Sequence, residues 1–463
     1  MNTTTRTRRW GVAAVAAVVG LGLAACSSGG GGSDDTSTGG SGGGNAKASC
    51  TNKIKKPDAT KVTVWAWYPG FQGVVDQFNT THDDVQVCWT NAGQGGDEYN
   101  KFSTAIQAGK GAPDVIMLEN EMLPTFETLK GLADMSQSGA TQDLKSKYTE
   151  GSWSDVTSGD GIYAIPVDGG PVGLLVRKDI FDKYKVKVPT TWDEYATAAQ
   201  QLKDAGYKGY ITDFAPNTNS GMYALWSQAG ATTFTYDAGD PTKVGVALNT
   251  TETNKVLDYW NQLLGKGLVG HENASTTDYN THLVDGTYAS VVAAAWLPGY
   301  LQGMSGADKD AQWQAVPLPQ WDAANPVQVN IGGSSFSVTS QAKDKKAATE
   351  VAMGLFSTDE AWKIGIDKAA LFPQFNQVLN AASFTDKKYP FFNDQQINKD
   401  VFVPAAAGYK GFQFSPFQTY VYDQQTQAFH DMVTKKQSAA DTLSALQDKI
   451  VKYAQGQGYT VSQ

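Results

Sequence analysis

Between residues 61 and 118, short apolar runs alternate with segments of helical period. No other feature restricts the fold as much. "KVTVWAW" (61–67) reads as a buried strand closed by "YPG". Phe71, Val74, Val75 and Phe78 then recur at helical spacing. "DVQVCWT" (84–90) is a second strand, and Tyr99, Phe102 and Ile106 mark a second helix that stops at Gly109. "PDVIML" (113–118) is a third strand. The order β-α-β-α-β predicts a parallel sheet with helices on both faces. Ligands of such sheets bind beyond the carboxyl ends of the strands, which here are residues 65–68, 90–91 and 119–121.

A second series follows. "GLLVR" reads as a strand behind a proline and glycine break at 166–171, and Thr191 with Glu194 forms a capping box for the helix after it. "YASVVAAAW" (288–296) is a buried strand ended by "LPG". "DGGP" and "IGGSSF" place glycine pairs inside strand patterns, as bends and hinges do. Roughly 400 residues of folded body suit two domains, or one large domain of two lobes.

Upstream, Arg6, Arg8 and Arg9 precede an apolar run that ends in Leu23-Ala24-Ala25-Cys26. This is the pattern of an export signal over 1–25, closed by the lipobox of bacterial lipoproteins, with Cys26 as the lipidated residue. Residues 27–44 hold nine glycines and no apolar side chain, so 26–58 is expected to be a flexible tether. The chain is then held by lipid at the outer face of a membrane. Cys50 and Cys88 remain in an oxidising compartment, and a disulfide between them is expected over two unpaired thiols.

The formal charge of −9 becomes −12 once the three signal arginines are removed, which argues against nucleic acid. No GxSxG, HExxH, CxxC or P-loop is present, and the four histidines are scattered. No cofactor or metal is expected. Aromatic residues instead gather at strand ends, Trp67, Tyr68 and Trp296 among them. Carbohydrates present flat C–H faces and hydroxyl rims, and sites for them combine aromatic plates with carboxylates or amides. Glu119, Glu121 and Asp168 supply the carboxylates. A glycosidase acid/base pair is the enzymatic alternative for them, but no catalytic motif accompanies it, and a non-enzyme is expected.

The lipobox, "VTVWAWYPG", "GKGAPDVIML", "IYAIPVDGGPVGLLVRKDIF", "VPTTWDEY", "AAAWLPG" and "FSTDEAWKIGI" together resemble extracellular solute-binding proteins of ABC-type sugar importers, in the maltose-binding subgroup. The resemblance runs from Lys61 to the C-terminus. It implies an α/β, two-lobed periplasmic-binding-protein-like fold with hinge-crossing strands and an interlobe ligand cleft. Lobe I would comprise 59–167 plus 334–398, and lobe II 168–333 plus 399–463. Crossings are implied at 166–172, 330–334 and between 393 and 404. By position the ligand residues would be Trp67, Tyr68, Glu119, Glu121, Asp168, Asn217, Asn219, Trp296 and Gln418, the last beside Phe417. Leu118 stands where the maltose-binding protein has an aromatic residue, so the sugar need not be maltose. The implied protein is a monomer that captures a sugar and delivers it to a membrane permease. A peptide, polyamine or glycerophosphodiester is the alternative cargo.

Overall fold

The computed structural model describes residues 50–236, 240, 242–304 and 311–462. The signal segment, the tether and Cys26 lie outside the described residues. Seven strands make the central sheet: β1 (Thr60–Trp65), β2 (Val85–Thr90), β3 (Val115–Glu119), β4 (Ile165–Arg177), β5 (Ser290–Ala294), β6 (Trp313–Pro317) and β7 (Asn330–Val338). Their order is β5-β4-β7-β3-β1-β2, and β6 also pairs with β4. β1, β2 and β3 are mutually parallel, and β7 runs antiparallel to β3 and β4. The expected helices form at Phe71–Thr81 and Gly96–Gln107. A disulfide joins Cys50 to Cys88 on β2, with 4.9 Å between their Cα atoms.

β4 connects the two halves. The break expected at its glycines does not occur, and the strand runs thirteen residues without interruption. Pro171 offers no N–H, but its carbonyl accepts from Ala295 N (3.0 Å). The Asn330 side chain takes the Gly170 N–H (2.7 Å), so the ladder is completed by an amide side chain. The first half of β4 pairs with β7, and the second half lies between β5 and β6.

Side chains on a strand alternate between faces, and the cores follow that rule. Val172, Leu174 and Val176 enter one core with Trp192, Trp226, Trp260 and Phe429. Leu175 faces a second core with Val291, Trp313, Phe392 and Phe402. Gly173 also points that way, and a Cβ there would sit 2.8 Å from Val401 Cγ1. The remaining core holds Val62, Val64, Val87, Ile116, Leu118, Ile165 and Phe336. Those three cores define the two lobes.

Two expectations need correction. Leu371 and Val378 belong to the first lobe's core, whereas Phe372 and Leu379 pack with the second lobe. The third passage between lobes therefore lies at 371–379, not between 393 and 404. Ile397, Val401 and Phe402 all pack against the second-lobe sheet. Phe384 and Phe392 do the same, so most of 379–398 belongs to lobe II. The resemblance implied a crossing without fixing its position, and which of two cores a run covers is decided by packing.

The crossing strands touch backbone to backbone. A Cβ on Gly170 would lie 1.9 Å from the Ile331 carbonyl oxygen, and one on Gly333 (φ 112°) 2.9 Å from that of Asp168. We expect Gly170→Ala to cost about 1–3 kcal/mol in urea unfolding. Gly265→Ala, with nothing within 4 Å of its Cβ, should be neutral or stabilising. Equal stability of the two variants would refute the close-contact account.

Candidate functional site

The crossing strands bring two predicted carboxylates into one row. Ser334 on β7 pairs with Glu119 on β3 and with Asp168 on β4. Paired residues share a face, and strands lie about 4.8 Å apart, so the two acids flank one serine at about 10 Å between Cα atoms. Tyr68 reaches the same point, its hydroxyl 2.5 Å from Ser334 Oγ. Tyr99, on the helix Gly96–Gln107, donates to Glu119 Oε2 (2.8 Å). Asp168 Oδ1 accepts the Phe372 N–H (2.6 Å), which ties the third passage to the first.

Glu121 spans the gap between lobes. Its Oε2 accepts from Tyr422 OH (2.8 Å) on the helix Gln418–Lys435, and Ser220 of the second lobe also hydrogen-bonds it. All three carboxyl groups are partly buried, and among the described residues no cation pairs with any of them. Among the described residues no group of histidine, cysteine and acidic side chains is arranged to hold a metal.

Trp296 follows β5, at the start of the helix Leu297–Gly303, and lies against β7 a short way from the row. Its indole N–H points to the Ile331 carbonyl (3.4 Å), and its Nε1 lies 3.9 Å from where a Cβ on Gly332 would sit. Gly332 and Ser334 are two residues apart, about 7 Å along a strand. Trp296 is partly exposed and lines a cavity of about 490 Å³ with Asn217, Thr218, Tyr279, Asn280 and Ile331. Gly332 (φ 73°) and Gly333 leave bare backbone between this cavity and the acidic row.

The other expected residues divide. Trp67 is half-buried, edge-on to Tyr99 (5.8 Å), next to the acidic row. Tyr68 is only 8% exposed and packs edge-on to Phe336 and Phe356, so only its hydroxyl serves the site. Asn217 holds Ala274 through both ends of its amide (2.7 and 3.3 Å), and this orients one wall of the cavity. Asn219, at φ 43°, caps the helix Ser220–Gln228 and faces Gln425 and Thr426 (both 3.4 Å). Gln418 is fully buried, and its carbonyl oxygen accepts the Ser415 N–H (2.9 Å). It braces a turn and offers no surface to a ligand. Ser334, Tyr99 and Tyr422 were missed. The "IGGSS" run marks the first, whereas the tyrosines read from sequence as ordinary helix faces.

Comparison with known proteins gives the geometry a context. The family described as bacterial extracellular solute-binding protein matches residues 66–361. An arabinooligosaccharide-binding protein of Halalkalibacterium halodurans is 25% identical over 268 residues, 54% of this chain and 56% of that protein. An uncharacterized lipoprotein of Streptomyces antibioticus is 26% identical over 301 residues, 61% of this chain and 63% of that one. The chain thus spans less than two thirds of either relative. Among solved structures, the ABC transporter associated binding protein of B. animalis subsp. lactis in complex with beta-1,6-galactobiose is 25% identical. Its TM-score is 0.71, over 88% of this chain and 100% of that one. The galacto-N-biose-/lacto-N-biose I-binding protein of Bifidobacterium longum is 24% identical with a TM-score of 0.74, over 87% and 99%. These neighbours share the two-lobed fold.

Burial pushes the Glu121 carboxyl up to about 8, and the neighbouring Glu119 charge adds to the rise. Burial likewise pushes Asp168 up to about 7 and raises Glu119. An acid whose folded pKa lies above its unfolded value stabilises the fold fully below the unfolded pKa. That contribution is lost as pH rises through the folded pKa. The window here runs from about pH 4.3, the unfolded glutamate value, to about 8. We expect the melting temperature of the unliganded protein to fall by several degrees between pH 5 and pH 8.5. Glu121→Gln should shrink that fall, and an identical pH profile in the variant would contradict the assignment.

Proposed function

The chain belongs to the family of bacterial extracellular solute-binding proteins, and on that premise we propose that it captures a sugar or oligosaccharide between its lobes and delivers it to an ABC permease. The observation that carries the reading is the row of uncompensated carboxylates beside a half-exposed tryptophan at the lobe junction. Glu119, Glu121 and Asp168 accept hydroxyl protons, and the face of Trp296 takes the C–H face of a sugar ring. A buried carboxylate without a partner is costly, so a ligand that donates several hydrogen bonds relieves what the bare site lacks. The arabinooligosaccharide and beta-1,6-galactobiose named for the two relatives belong to the same chemical class.

Closure follows from the distribution of these groups. Glu119 and Glu121 belong to the first lobe, Trp296 to the second, and Asp168 to the connecting strand. A ligand that touches all of them favours the state in which the lobes meet; one held by a single lobe would shift nothing. No step requires a bond to be broken in the ligand, so the protein acts as a receptor and not an enzyme. Cys26 would carry the lipid, and the tether would keep the body at high effective concentration near its permease. The cluster of acids also favours a second reading, a polyamine cargo that would draw them into their charged form, and spermidine in the same screen separates the two.

A thermal-shift screen of the soluble body with arabino-oligosaccharides, beta-1,6-galactobiose, lacto-N-biose and spermidine should show saturable stabilisation by a sugar. Stabilisation by spermidine alone would overturn the carbohydrate reading. Trp296→Ala should weaken binding of the active sugar by about tenfold or more at unchanged melting temperature. Unaltered affinity in calorimetry counts against it. Cys26→Ala in the full chain should move the protein from the membrane fraction to the medium, and continued membrane retention would refute the lipid anchor.

A further inference from the structure

The cavity behind Trp296 does not end at the lobe junction. A second cavity, of about 840 Å³, shares Asn280, Tyr300 and Met304 with it. The two adjoin at these residues, and the second is the larger. Their walls differ in origin. The cavity of about 490 Å³ is built from the second lobe and Ile331 of β7. The second is built from both lobes, with Pro69 and residues 366–371 on one side and residues 298–304 on the other.

Tyr300 stands where the two join. It is 56% exposed, an unusual state for a large aromatic side chain on a helix that buries Pro298 and Leu301. Its ring sits edge-on to Trp296, 5.9 Å between centroids and 84° between planes. Edge-on rings present their faces in different directions, so the pair forms a corner and not one flat plate. Further along, Tyr389 lies under Lys387 (5.4 Å from Nζ to the ring), and Phe372 and Pro390 add apolar wall. Lys368, Lys387 and Lys388 stand at the rim. Apolar plates edged by polar groups suit the alternating C–H faces and hydroxyl rims of a chain of sugars.

We propose that the groove beyond Trp296 is a chain-length subsite: Tyr300 stacks a further glycosyl unit, and the protein selects oligosaccharides of three or more units over mono- and disaccharides. This rests on the carbohydrate reading above. The first cavity alone falls within the range of about 300–1,000 Å³ that takes a drug-sized ligand. A ligand that ended there would leave the larger cavity and its exposed tyrosine without a role. A longer one crosses from the second lobe to Pro69 and Ala370 of the first, and so adds to the contacts that favour closure.

The test is calorimetry with two series, arabinose to arabinotetraose and β-1,6-linked galactose to the tetrasaccharide, on wild type, Tyr300→Ala and Tyr300→Phe. Affinity should rise at least about tenfold from di- to trisaccharide in the series that binds. Tyr300→Ala should remove that gain, weakening the tri- and tetrasaccharide at least about tenfold more than the disaccharide, and Tyr300→Phe should keep it because stacking needs only the ring. Tyr300 is exposed, and Lys388→Ala, at the far rim, gives a second handle on the same groove and should weaken only the tri- and tetrasaccharide. Affinity that is flat beyond the disaccharide, or a Tyr300→Ala variant that keeps the length dependence, overturns the subsite and leaves the carbohydrate reading standing. No saturable binding of any member of either series to wild type overturns both.

Discussion

The contact on which the rest depends is the passage of two strands at a place where neither carries a side chain. Gly169 and Gly170 on β4 lie against Ile331–Gly333 on β7 and against Gln374, with no room for a Cβ on either glycine. The close approach puts Ser334 level with both Glu119 and Asp168. It also lets one strand, β4, belong to the sheets of both lobes. Side chains at these positions would push the strands apart, and the acidic row would separate.

That geometry creates an electrostatic problem which the protein leaves unsolved. Three carboxyl groups come together in a partly dry junction, and among the described residues no lysine or arginine pairs with them. Tyr99, Tyr422, Ser220 and the N–H groups of Phe372 and Gly169 each supply one hydrogen bond, still short of what three carboxyl groups can accept. A core built for stability would pair or replace them. Their retention at the lobe junction fits a site whose missing donors come from outside the chain.

Much of the first lobe was legible because its signals are local. The periods of the segments around Val64, Phe78, Val87 and Ile116 specify strands and helices without reference to the rest of the chain. The glycine pairs at 169–170 and 332–333 likewise marked the crossing strands, although β4 runs through its glycines instead of breaking there. The third passage was misplaced because Leu371 and Phe372 are neighbours in sequence yet enter different cores. Which sheet face a run covers is set by packing over long separations. The same limit explains the site. Glu119 ends β3, Trp296 follows the end of β5 and Asp168 sits beside a glycine pair, so each could be named, whereas Tyr422 reaches Glu121 from 301 residues away. Gln418 begins the helix that carries Tyr422, but its side chain turns inward to hold Ser415. Position along a chain does not tell which way a side chain points at a helix start.

The distribution of polar and aromatic groups between lobes says how affinity and closure divide. The wall behind Trp296 is almost entirely second-lobe, so a ligand seated there gains contact area whether or not the lobes meet. The carboxylates act differently, because Glu121 already bonds Tyr422 and Ser220 across the junction. A ligand that satisfies Glu119 and Asp168 lowers the repulsion felt by Glu121, and with it the cost of holding the lobes together. Stacking then contributes mainly to affinity and the acids mainly to closure. A permease that responds only to the closed form would therefore distinguish ligands by how well they satisfy the acidic row, and not by how tightly they stack.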